Sequence, residues 1–242
     1  MRLFKLVFAA AFPVLAFATA QAGQKTVHIT TKDGCLLEAF YLAPSSGSYI
    51  FLNAHGLGSD KNEWGSFQKE LASAGYGYLS LDLRGHGNSS TCGGKKVKYL
   101  YFSEADWNRL SLDIEAGAAW LKKRGVSPQK MVFCGASVGA NLSLKAASEG
   151  AIKPAALVLL SPGLEYAGVK TEDYFTRPRS FRVLSVAARE DGYAWQSVQL
   201  LNSEAMKKGL PAHSLEAEGG HGVNMFKTPS VIPAILSWVE EK

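Results

Sequence analysis

Lys130-Met131-Val132-Phe133-Cys134-Gly135-Ala136-Ser137-Val138-Gly139 decides how the rest of the chain is read. The first five residues form the short, mostly apolar run of a buried strand, and Val138 to Glu149 reads as a helix of small residues. Between them stands Gly-x-Ser-x-Gly with Ser137 at its centre. A strand that turns directly into a helix forces the residue at the turn into a strained backbone conformation. Glycines on both flanks let the two elements approach without side-chain clash. The serine hydroxyl is then lifted above the sheet, over a helix N-terminus that favours negative charge. The bare pattern occurs by chance in many proteins, so its weight comes from the strand before it and the helix after it. A plain glycine-rich helix cap would leave the motifs below unexplained.

Working outward, Thr26 to Thr31 alternates up to the turn signal Asp33-Gly34, and Cys35 to Leu42 follows as the second arm of an opening hairpin. Ser48 to Asn53 reads as a third strand, Trp64 to Ala74 as a helix ended by Gly75, and Tyr78 to Asp82 as a fourth strand. Leu110, Ile114, Ala118 and Leu121 recur at helical spacing in Trp107 to Arg124, which Gly125 closes. After the serine turn, strands at Ala155 to Leu160, Arg182 to Ala187 and Ala212 to Glu216 alternate with helices at Trp195 to Lys208 and Ile232 to Glu240. A hairpin followed by strand–helix repeats predicts an α/β fold, with a mostly parallel sheet covered by helices on both faces. Sites of such sheets lie beyond the carboxyl ends of the strands.

With the serine motif, Asn53-Ala54-His55-Gly56-Leu57-Gly58 and Asp82-Leu83-Arg84-Gly85-His86-Gly87 resemble, in order and placement, the His-Gly loop and the Asp-x-Arg-Gly-His-Gly turn of the α/β-hydrolase superfamily. The likeness runs from about Thr26 to the C-terminus. It implies an eight-stranded sheet in a single domain, and a serine esterase or dienelactone-hydrolase-like enzyme without a large cap. It implies the chain order serine, acid, histidine.

A serine hydroxyl needs a base within hydrogen-bond reach. Of five histidines, His28, His55 and His86 precede the serine, and His213 lies within the last strand pattern. His221, in the flexible Gly219-Gly220-His221-Gly222, is the expected base. The resemblance places the acid that orients it just after the seventh strand, where Asp191 fits and Glu190 is the competitor. Asp173 reads as part of a solvated loop. The N–H of Val138, directly after the nucleophile, is one expected oxyanion donor. The resemblance implies the N–H of Leu57 as the other, with His55 and His86 shaping their loops.

The resemblance also makes the strands near Cys35 and Cys92 neighbours at the catalytic end of the sheet, which implies a Cys35–Cys92 disulfide and leaves Cys134 a buried thiol. Only Ser161 to Phe181 separates strands six and seven, too little for a cap domain. Tyr99, Tyr101 and Phe102, or Trp64, Tyr166, Tyr174, Phe175 and Trp195, are the aromatic candidates for substrate walls or for simple packing.

The 242 residues carry a formal charge of +5, with basic residues scattered in short pairs that read as solvated helix ends, so nucleic acid is not an expected partner. Arg2 and Lys5 open the chain, an apolar segment runs from Leu6 to Phe17, and small residues follow at Ala18-Thr19-Ala20 or Ala20-Gln21-Ala22. That is the layout of a cleaved secretory signal over residues 1–22, leaving a catalytic domain over 23–242. The apolar run is short of the ~20 residues a spanning helix needs. The expected product is exported, periplasmic or secreted, without stable membrane insertion.

The expected activity is hydrolysis of a small-molecule carboxylic ester, short-chain and soluble, through Ser137, His221 and Asp191, with no metal and no organic cofactor. Thioesters, lactones, peptides or acyl transfer suit the same residues. A silent binding protein on this fold is the competing class, although all three triad residue types are retained. The serine at the turn excludes an aspartate-nucleophile dehalogenase or epoxide hydrolase.

Overall fold

The computed structural model describes residues 23–241; the expected signal segment, 1–22, lies outside the described residues. Eight long strands form the sheet: β1 (Lys25–Thr30), β2 (Cys35–Leu42), β3 (Ile50–Ala54), β4 (Gly77–Leu81), β7 (Met131–Ala136), β8 (Ala156–Leu160), β11 (Arg182–Ala188) and β12 (His213–Ala217). A two-residue pair, β5 (Thr91–Cys92) and β6 (Lys95–Lys96), extends it to ten. The order is β12-β11-β8-β7-β3-β4-β2-β5-β6, with β1 also paired to β2. From β12 to β4 every pairing is parallel, and β2 joins antiparallel.

Alternation along the strands sorts side chains onto two cores. Leu52, Phe133, Leu157 and Val183 face one, against Leu110 of the Glu104–Arg109 helix's C-terminus, α3 (Ser111–Lys123) and α4 (Val138–Glu149). Phe51, Val132, Val158 and Val186 face the other, against α1 (Gly65–Ser73) and α7 (Val231–Glu240). The central strands β3, β4, β7 and β8 are buried at every position, as a sheet covered on both faces requires.

Two expected elements are subdivided. The helix expected over Trp107–Arg124 is α2 (Glu104–Arg109) followed by α3, because Ser103 and Asp106 form a capping box that starts the first turn early. The helix expected from Trp64 begins as a 3₁₀ turn over Lys61–Trp64, capped by Asp60, before α1. The Ser161–Phe181 connection forms a hairpin, β9 (Glu165–Tyr166) with β10 (Val169–Lys170), and one helical turn, α5 (Glu172–Phe175). No cap domain is built from it. Cys35 and Cys92 face each other in register across β2 and β5 and are joined by a disulfide, while Cys134 is a buried free thiol.

Candidate active site

At the turn from β7 to α4, Ser137 has φ 55° and ψ −123°, left-handed backbone that a non-glycine residue adopts only when the surroundings hold it there. The close approach that holds it needs glycine on both sides. A Cβ on Gly135 would stand 2.2 Å from the Gly139 carbonyl oxygen, and one on Gly139 would stand 2.2 Å from that of Ala54. The Ser137 N–H donates to the Leu160 carbonyl at 2.9 Å, fixing the turn to the neighbouring strand.

His221 and Asp191 are brought together from separate strand ends. Asp191 ends the β11 turn and precedes α6 (Gly192–Lys207); His221 lies in the loop after β12. Nδ1 of His221 stands 2.6 Å from Oδ2 of Asp191, which leaves Nε2 for another partner. Glu190, the rival acid, turns away and accepts the N–H groups of Gly219 and Gly220 at 2.7 and 3.1 Å. Those bonds, after its own backbone N–H, hold its carboxyl below the usual range. The far side of the histidine loop is fixed by the Gly222 N–H, which donates to Oγ of Ser161 at 2.9 Å. A Cβ on Gly222 would sit 3.5 Å from that of Ala136, so this loop packs against the serine turn.

Tyr166 spans the two. Its hydroxyl lies beside Ser137, and its ring meets the His221 ring edge-on with centroids 6.0 Å apart. Burial first, then the charge of Asp191, pushes this phenol well above its ordinary range and keeps it neutral. The other aromatic candidates divide. Trp64 and Phe175 are fully buried packing residues, Tyr174 bonds to Lys145 and Glu149, and Trp195 lies under Arg189. Phe102 packs on Gly85, while Tyr99 rests on Gly58 and Tyr101 is exposed. A groove of about 520 Å³ runs beside Gly58, Ser59, Tyr99 and Tyr101.

The loop after β3 holds one peptide in a fixed direction. His55 is fully buried; its Nδ1 bonds to the Gly56 carbonyl at 2.8 Å, and its Nε2 accepts the Leu83 N–H at 3.0 Å. Those bonds require the neutral tautomer with the proton on Nδ1. Burial, then the neighbouring His86, lowers its pKa to about 3. The Ser59 N–H donates to the same carbonyl at 3.2 Å. Because a trans peptide points C=O and N–H in opposite directions, holding the Gly56 oxygen also sets the Leu57 N–H. The Leu57 side chain is 56% exposed, at the rim of the site. Val138 supplies the first N–H of α4, a group without an intrahelical acceptor. His86 is stacked on Tyr99 at 4.2 Å and bonds to the Arg84 carbonyl, shaping its turn.

Ser161 and Glu63 were not singled out in the sequence. Ser161 has φ 49°, and Glu63 accepts the Gly56 N–H at 2.9 Å. Neither lies in a motif, and only the folded loops bring them here. Among the described residues, no cluster of three or more His, Cys, Asp or Glu is arranged to hold a metal ion, and no helix is long and apolar enough to cross a membrane.

A family model described as serine aminopeptidase, S33, matches residues 46–207. No curated protein matches the chain in sequence. Among solved structures, an esterase of Pyrococcus furiosus superposes with a TM-score of 0.72 at 19% identity, covering 98% of each chain. An esterase of Exiguobacterium antarcticum gives 0.66 at 13% identity, over 90% of this chain and all of that one (100%). An acylaminoacyl peptidase of Pyrococcus horikoshii gives 0.69 at 14%, over 90% of this chain and 41% of that one. At these identities the likeness speaks for the fold.

Proposed function

The chain belongs to the serine aminopeptidase (S33) family of α/β-hydrolases, and from that membership we propose that it is an exported serine esterase in which Ser137, His221 and Asp191 form the catalytic triad. The observation that supports the reading is the Asp191–His221 pair, in a loop that packs at Gly222 against Ala136, next to Ser137 with its positive φ.

Ser137 Oγ attacks the ester carbonyl carbon while His221 Nε2 takes its proton. Asp191 holds the imidazole by Nδ1 and stabilises the imidazolium. The carbonyl oxygen, now an anion, accepts from the N–H groups of Leu57 and Val138. Collapse of this intermediate breaks the ester C–O bond, and His221 returns the proton to the departing alcohol. Water, deprotonated by His221, then releases the acid from Ser137. The short Ser161–Phe181 connection suits a small acyl part. The Cys35–Cys92 disulfide supports an oxidising destination.

The test is labelling of residues 23–242 by a fluorophosphonate probe, followed by a hydrolysis panel of esters, thioesters, lactones and peptide amides. Labelling lost in Ser137→Ala, with esters turned over fastest, is the expected result. A folded wild-type protein that neither labels nor hydrolyses any of the panel would overturn the enzymatic reading. Faster thioester, lactone or amide cleavage would overturn the ester assignment alone.

A further inference from the structure

The Glu63 carboxyl stands at this site without a part in the chemistry above. Asp60 caps the 3₁₀ turn that carries it, and the buried Trp64 follows it, so its backbone is fixed. Oε1 accepts the Gly56 N–H at 2.9 Å. Oε2 lies 3.9 Å from where a Cβ on Gly56 would sit, a point itself 3.6 Å from Cβ of Ser137. Gly56 is therefore gripped at both ends. Glu63 holds its N–H, while His55 and the Ser59 N–H hold its carbonyl. The Leu57 N–H belongs to the same peptide as that carbonyl.

We propose that Glu63 is a positioning residue that aims the Leu57 N–H through its hold on Gly56. This rests on reading Ser137 and His221 as nucleophile and base. Burial pushes the Glu63 carboxyl up, Asp60 pushes it further, and Ser59, Gly56 and His221 draw it back.

Glu63→Ala and Glu63→Gln, assayed with p-nitrophenyl acetate, test this. Glu63→Ala is expected to lower kcat by roughly 10- to 100-fold with KM changed less than about threefold, since the oxyanion donor acts in the transition state. Glu63→Gln keeps the hydrogen bond, so it should retain most of kcat. Wild-type kcat in folded Glu63→Ala overturns the positioning role, and so does a kcat in Glu63→Gln as low as in Glu63→Ala. If Glu63→Ala does not fold, Glu63→Asp, whose carboxyl is one methylene short of the Gly56 N–H, takes its place and should lose kcat with KM little changed. Loss of fluorophosphonate labelling in the wild type would strike the reading of Ser137 instead, so the two failures are distinct.

Discussion

Asp191 and Glu190, adjacent in the chain, serve the same loop in different ways. Asp191 takes the imidazole of His221 at 2.6 Å, and Glu190 takes the N–H groups of the two glycines before it. One acid faces the ring and the other shapes the loop that presents it. The sequence alone left both open as the orienting acid, because the two carboxylates differ only in the side of the turn to which they project.

Substitution separates them. Ser137→Ala and His221→Ala are each expected to lower ester kcat by on the order of 10⁴-fold or more, and Asp191→Asn by about 10³–10⁴-fold. The effects should not add, since the residues act as one unit. Glu190→Gln keeps an acceptor for Gly219 and Gly220 and should cost less than about tenfold. A severe Glu190→Gln with a mild Asp191→Asn, in steady-state assays of folded proteins, would reverse the assignment.

The Cys35–Cys92 bridge closes a loop with a sequence separation of 57 residues and anchors the β5–β6 hairpin, beyond which Tyr99 packs on His86 and Gly58. Protein oxidised on export should show one thiol when denatured without reductant and three after reduction. Closing a loop of this size is worth roughly 2–4 kcal/mol, so reduction should lower the urea midpoint accordingly. It should also raise amide exchange in residues 91–98. An unchanged midpoint would show that the sheet pairing alone holds the hairpin.

His55 ties stability to pH with a definite sign. Its folded pKa is lowered to about 3, so the unfolded chain binds a proton, near an ordinary value of about 6.5, that the folded protein refuses. A group of this kind contributes stability that is fully present above about 6.5 and lost as pH falls toward 3, at about 1.4 kcal/mol per pH unit. Burial lowers His86 in the same direction. Comparing wild type with His55→Gln cancels the carboxylates common to both. The stability gap between them, from urea unfolding, should narrow by about 1.6 kcal/mol between pH 6.5 and pH 5. A constant gap would mean that His55 titrates alike in both states.

The fold was legible because β3, β7, β8 and β11 are apolar runs, and β3, β7 and β11 are each followed by a helical pattern. Ser137, with its flanking glycines, was legible because the turn chemistry is local. What could not be read depends on contacts that sequence distance hides. Gly222 and Ser161 are 61 residues apart, and Glu63 reaches back 7 residues from what looked like an ordinary helix start. Two signals were present and passed over. Ser103-Glu104-Ala105-Asp106 has the spacing of a capping box, and Gly93-Gly94 between Cys92 and Lys95 is a hairpin turn. The first sets the earlier helix start, and the second adds the two short strands to the eight expected.

Acyl-chain preference follows from what surrounds Ser137. Between β8 and β11 the chain covers this side with the Ser161–Phe181 connection, reduced to a four-residue hairpin pairing and one helical turn. Its Tyr166 already fills the space beside Ser137 and His221 with a half-buried ring. Each buried methylene contributes up to about 0.8 kcal/mol, but only while there is wall to cover it. With Tyr166 close to the nucleophile, that gain should stop after a few carbons. Longer chains would lie over Leu57 and Tyr193, which are 56% and 48% exposed, and recover little. The measurement is kcat/KM for p-nitrophenyl esters from acetate to palmitate, below and above the solubility limit of the longer members. A maximum at short chains, with no jump when micelles form, is expected. Tyr166→Ala should move that maximum to longer chains by opening the wall, whereas a wild-type rise that continues to palmitate would reveal a long apolar tunnel and refute the short-acyl preference.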